Sequence, residues 1–144
     1  MNLLRMVDTI FAPQTAYAHC DVPCGIYDPK PAQIAAATVL KMVEKIEGSS
    51  KKNQTVEDRN LFVRSVLTKE EHAGKCKEEL LILWTDFFKP EHLEMFPTLH
   101  DTFWKATKLC SKNKQAVSLE SAQELVKAVD EIVQIFTKVK DAQK

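Results

Sequence analysis

From Pro31 to the C-terminus, apolar residues recur at spacings of three and four and never alternate in twos, which restricts the chain to helices packed on helices. Pro31 suits a first helical turn, and Ala36, Val39, Val43 and Ile46 carry one face before Gly48-Ser49-Ser50 stops it, so a first helix is expected over 31–47. Phe62, Val66, Ala73, Cys76, Leu80, Leu83 and Phe87 then hold one heptad phase, with Lys69 as the single polar residue on the stripe. That pattern predicts either one long helix, about 55–88, or two helices broken near Gly74, ended by Lys89-Pro90. Phe96, Leu99, Phe103, Ala106 and Cys110 mark a third helix, in which Pro97 is tolerable only in or before the first turn. Ser118 is positioned to cap a fourth, whose stripe runs Leu119, Ala122, Val126, Val129, Val133 and Phe136. Short connections between such helices predict an all-α, antiparallel four-helix bundle.

The segment ahead of the helices has another character. His19-Cys20-Asp21-Val22-Pro23-Cys24-Gly25-Ile26-Tyr27-Asp28-Pro29 gathers an imidazole, two thiols, a phenol and two carboxylates into a loop that its prolines keep out of any helix. Gly25 lets the backbone turn so that Cys24 can face Cys20. A flexible polar tail is the plain alternative, but two cysteines, a histidine and a tyrosine are an unusual composition for one. Asp21 and Asp28 read as braces of the turn, bonding backbone amides.

Ala16-Tyr17-Ala18, a small-x-small site, stands immediately before this loop. Cleavage between Ala18 and His19 would make His19 a new N-terminus, with residues 1–18 a propeptide and 19–144 the mature domain. Arg5 and Asp8 interrupt the apolar segment that export requires, so removal by a processing protease inside the cell, and a cytoplasmic location, are expected in preference to secretion. No stretch approaches the length of a membrane span, and no membrane partner is expected.

With 144 residues and 44% apolar content the chain is sized for a single domain with an ordinary core. Twenty basic residues balance 20 acidic ones, which leaves no electrostatic footprint for nucleic acid. Attraction of an anionic substrate must then come from local placement of lysines and amides. Of the four cysteines, Cys76 and Cys110 fall on apolar helical stripes and read as core, so only Cys20 and Cys24 form a pair. His72, His92 and His100 lie elsewhere, and the positions of His92 and His100 near Pro90 and Pro97 suggest surface or capping roles.

One cysteine pair is half of a usual structural zinc site. With His19 at the N-terminus, however, its amine and the Cys20 amide nitrogen close one five-membered chelate ring, and that nitrogen with the Cys20 thiolate closes a second. The Cys24 thiolate completes a plane, and the His19 imidazole lies to the axial side. A tetragonal set of nitrogen and sulfur donors suits divalent nickel or copper better than zinc. A helical thiol-redox or metal-trafficking protein using Cys20 and Cys24, and a helical interaction module, are the readings from other classes.

The loop from His19 to Pro29 resembles the nickel-binding hook of nickel superoxide dismutases. A second segment, Leu83-Trp84-Thr85-Asp86-Phe87-Phe88-Lys89-Pro90 continuing through His92, Pro97 and Leu99-His100, is also similar to that family. The resemblance implies conversion of superoxide to dioxygen and hydrogen peroxide by one nickel ion per subunit, cycling between divalent and trivalent states. It implies equatorial ligation by the His19 amine, the Cys20 amide and the Cys20 and Cys24 thiolates, with the His19 imidazole axial. It also implies homohexamers, matured by a protease that cuts before the hook histidine. Tyr27 is the candidate to line the substrate entrance, where its phenol can donate to an incoming anion, and Pro23 would help fix the loop. The positions that in many family members carry a glutamate and an arginine holding the axial imidazole fall on Ala35 and His72 here, so His72 is expected to take over that role. A family tyrosine corresponds to Phe87, which leaves Tyr27 the single phenol near the site.

Overall fold

The structure, a computed structural model, describes residues 25–49 and 55–143. Its helices are α1 (Lys30–Ser49), α2 (Val56–Ile82) continued by a π-helical turn (Leu83–Phe87), the short α3 (His92–Met95), α4 (Leu99–Gln115) and α5 (Leu119–Ala142), with no strand among the described residues. α1 packs on α2 and α5, and α4 packs on the same two helices, so the four long helices close a ring around one core. The predicted four-helix bundle is the observed architecture.

Local chemistry sets the boundaries. Asp28 Oδ1 accepts from the Lys30 amide at 2.8 Å ahead of α1, the bracing role expected of it. Thr55 caps α2 in a reciprocal box: its hydroxyl accepts from the Asp58 amide at 3.1 Å, and the Asp58 carboxylate accepts from the Thr55 amide at 3.1 Å. Ser118 caps α5 by accepting from the Ser121 amide at 3.2 Å. α2 passes Gly74 without a break, which decides between the two expectations in favour of one long helix. Pro97 lies before α4, where its missing amide costs no helical bond.

The heptad expectation for α2 holds only from its middle onward. Ala73, Cys76, Leu80, Leu83 and Phe87 are buried, but Phe62 is exposed and Val66 half-buried, while Ser65 and Lys69 face inward. The first turns of α2 thus leave Val56, Leu61, Phe62, Val63 and Leu67 on the surface.

Lys69 is almost completely enclosed at 1% exposure, because α4 ends against it. Its ammonium donates to the carbonyl oxygens of Asn113 (2.5 Å), Lys114 (3.1 Å) and Ala116 (2.9 Å), capping the end of α4 from a neighbouring helix. Burial pulls its pKa below the ordinary lysine value, with Glu70 acting in the opposite direction. Asn113, also buried, donates to Leu109 O, Ser121 O and Ser121 Oγ at 2.9–3.1 Å and so pins the α4–α5 turn.

Candidate functional site

The hook enters the described structure at Gly25. His19, Cys20, Asp21, Pro23 and Cys24, like the cleavage pair Ala18 and His19, lie outside the described residues. Gly25 has φ +72°, a left-handed conformation that favours glycine and turns the chain from the hook toward α1. Two residues later Tyr27 reaches the end of the bundle, and its ring lies 5.6 Å from that of Phe87.

That end is closed by aromatic rings. The π turn, with the Phe88 amide donating to Leu83 O at 3.1 Å, widens the helix so that Phe87 and Phe88 both turn inward. Phe87 meets Phe136 of α5 at 4.4 Å, Phe88 at 4.9 Å and the imidazole of His92 at 6.0 Å, and Phe88 meets Phe103 of α4 at 5.3 Å. Three long helices, α3 and the hook's root therefore share one rigid patch. Sheltered rings here give the first residues after the hook a fixed seat.

Two hollows flank Tyr27. One is lined by Ile26, Tyr27, Asp28, Pro31, Glu79, Ile82 and Leu83. The other, of about 320 Å³, is lined by Gly25, Tyr27, Asp86, Phe87, Lys89, Lys140 and Gln143. The sequence placed Tyr27 and Phe87 correctly at this end but gave no sign of Lys140 and Gln143, which arrive at the hook only because α5 folds back along α1.

His92 departs from the surface position expected of it. It is buried, its Nδ1 accepts from the Lys89 amide at 3.0 Å, and its Nε2 lies 3.3 Å from the Gln143 amide group, so the expected capping role is met from inside the aromatic cluster. His100 is exposed and its Nδ1 accepts from Trp84 Nε1 at 2.9 Å. His72 is half-buried on α2, with a sheltered Nδ1 that has no hydrogen-bond partner among the described residues. It sits 11 residues before Leu83, or about 16 Å along the helix from the level of Tyr27. Ala35 is packed in the core of α1.

Cys76 and Cys110 are buried across the α2–α4 contact, as expected of core thiols. A hydrogen bond with Cys110, followed by burial, pushes the Cys76 thiol far above its ordinary pKa. Among the described residues no group of three or more His, Cys, Asp or Glu side chains could hold a metal ion. The candidate donors His19, Cys20 and Cys24 lie outside the described residues, and imidazole and thiolate are donor types that suit nickel.

A helical bundle preceded by a segment rich in cysteine and histidine is the class of protein that the fold and the sequence define. The sequence model of nickel-containing superoxide dismutase matches residues 14–140. The superoxide dismutases [Ni] of Streptomyces seoulensis and Streptomyces coelicolor are each 35% identical over 138 residues, covering 95% of this chain and 100% of theirs. A native nickel superoxide dismutase structure superposes with a TM-score of 0.75 at 33% identity, covering 85% of this chain and 99% of that one. A crystal structure with nickel ligation corresponding to the oxidised state gives 0.74 at 34%, with the same coverage. The chain belongs to the nickel-containing superoxide dismutase family: it is an oxidoreductase, its substrate is superoxide and its cofactor is nickel.

Proposed function

We propose that maturation between Ala18 and His19 creates the nickel site, with the His19 amine and imidazole, the Cys20 amide and the Cys20 and Cys24 thiolates as ligands. The observation that carries this is the junction of a donor-rich loop with the aromatic seat at the end of the bundle, bridged by left-handed Gly25 and anchored by Tyr27 on Phe87. Nickel supplies a centre that takes an electron from one superoxide and returns it to the next, between divalent and trivalent states. Tyr27 works beside it. With its ring held against Phe87, its phenol orients an incoming anion, while the close-packed rings beneath keep bulk water from the bundle side.

The reach of the solved relatives supports a removed leader: they match 85% of this chain over 99% of their own length, whereas the curated relatives match 95% over their full length. The exposed apolar residues at the start of α2, together with Ile34 of α1, supply a surface for self-association, in agreement with the homohexamer expected from the family. His72, whose sheltered Nδ1 has no hydrogen-bond partner among the described residues, is proposed to hold the axial His19 imidazole. No described helix is long and apolar enough to cross a membrane, and we place the protein in the cytoplasm on the interrupted leader. The thiol-trafficking alternative would need further ligands, and the buried thiols of Cys76 and Cys110 are withheld from that use.

Mass spectrometry of protein isolated from its native cell, combined with metal analysis and superoxide removal, tests the reading. The expected result is a chain starting at His19 with one nickel per subunit, and no turnover from uncut precursor. Full activity with residues 1–18 in place would overturn it. Light scattering on the nickel-loaded protein tests the hexamer, which a fully active monomer would refute.

A further inference from the structure

Cys76 and Cys110 are two thiols for which the nickel chemistry has no use, and they share a hydrogen bond across the α2–α4 contact. Both are shut off from bulk solvent, at 0% and 1% exposure, and neither is in a disulfide. The next residue of each helix repeats the pairing, since Lys77 Nζ donates to Ser111 Oγ at 3.1 Å. The two helices thus hold the sulfurs opposite one another. Sulfurs close enough to share a hydrogen bond need only a small side-chain rotation to become bonded.

One side of the pair is open to a small molecule. A hollow of about 190 Å³ follows the α2–α4 seam, where Ala73, Gly74 and Lys77 face Cys110, Ser111 and Lys114. Gly74 keeps it clear by lacking a side chain: a Cβ placed there would meet no other side chain within 4 Å. A water molecule occupies about 30 Å³ in the liquid, so hydrogen peroxide, a little larger, fits against the wall that Cys110 helps to form. Cys76 does not line the hollow and keeps its proton to high pH, which leaves Cys110 as the attacking sulfur.

We infer that Cys76 and Cys110 form a peroxide-responsive dithiol, closed to a disulfide by the hydrogen peroxide that dismutation releases. The Cys110 sulfur attacks one peroxide oxygen, the O–O bond breaks, and the departing hydroxide leaves as water with the thiol proton. The Cys76 sulfur then attacks the sulfenic sulfur, and the displaced hydroxide takes the Cys76 proton. Two thiols give up two electrons and two protons, and one peroxide becomes two waters. The product ties α2 to α4 by closing a loop of about 35 residues, so the bundle gains stability in the presence of the oxidant it makes. None of this depends on which residues hold nickel, because peroxide is the product whatever the ligands.

The test exposes processed, nickel-loaded protein to a few equivalents of hydrogen peroxide, followed by denaturation, alkylation and digestion without reductant. A linked Cys76–Cys110 peptide is expected. The Tm of the parent should rise by about 10 °C on exposure, reversibly with dithiothreitol, and neither Cys76→Ala nor Cys110→Ala should show that rise. In Cys76→Ala, dimedone should trap a sulfenic acid at Cys110, whereas in Cys110→Ala the Cys76 thiol should stay free. Recovery of both thiols unmodified after Cys20 and Cys24 have been oxidised would overturn the inference. So would a link that forms only once the protein is unfolded, or a sulfenic acid trapped at Cys76 in Cys110→Ala. Should neither variant fold, the peptide map of the parent decides alone.

Discussion

Replacing Lys69 with methionine should cost the fold about 3 kcal/mol, although the residue is hidden from the surface. The ammonium serves three carbonyl oxygens at the end of α4, those of Asn113, Lys114 and Ala116, from a position only 1% exposed. Each acceptor that loses its donor in a sheltered setting costs about 1 kcal/mol or more, and methionine keeps most of the buried stem in place, so three losses set the scale. Lys69→Ala adds a cavity and should cost about 2 kcal/mol beyond that. Urea unfolding of the metal-free protein followed by circular dichroism measures both. For a domain of this size, about 3 kcal/mol corresponds to a fall in Tm of about 10 °C. A Lys69→Met protein as stable as the parent, or one matching Lys69→Ala, would refute the reasoning: the first would mean that water replaces the ammonium at no cost, the second that packing of the stem contributes nothing.

Thiol chemistry should divide the four cysteines into two pairs. In native metal-free protein, iodoacetamide is expected to modify Cys20 and Cys24 and spare Cys76 and Cys110, with all four reacting in denaturant, as peptide mapping would show. Because the folded Cys76 thiol titrates above its ordinary value of 9.0, its contribution to stability is complete below that pH and declines as the pH rises beyond it. Thermal melts between pH 8 and 10.5 should show that alkaline loss reduced in Cys76→Ala. Tyr27→Phe keeps the packing on Phe87 and should lower turnover or alter azide inhibition by about tenfold while nickel content stays full; equal loss of metal and rate would make the residue structural. His72→Ala should change the axial nickel signal in electron paramagnetic resonance together with the turnover rate, and a protein unaltered in both would remove His72 from the site.

The aromatic end of the bundle shows where sequence reasoning reached and where it stopped. Phe87 and Phe136 each belonged to an apolar stripe and were readable as core, but that they meet at 4.4 Å beneath Tyr27 follows from α5 running back along α1. His92 looked like a surface residue because prolines surround it. Its burial comes from the π turn, which no periodicity rule anticipates since it adds one residue to a single turn. Phe62 misled in the opposite direction: it keeps the stripe's phase, yet no described helix covers the start of α2, so it stays exposed.

Two kinds of information separate here. Helix positions, the cap at Ser118 and the left turn at Gly25 depend on neighbours a few residues apart, and the sequence alone determined them. The carbonyls that Lys69 serves and the lysines that gather at the hook's root are separated by tens of residues along the chain. Their meeting depends on how whole helices pack, a sum of many weak contacts without a local signature, and only the tertiary structure decided it.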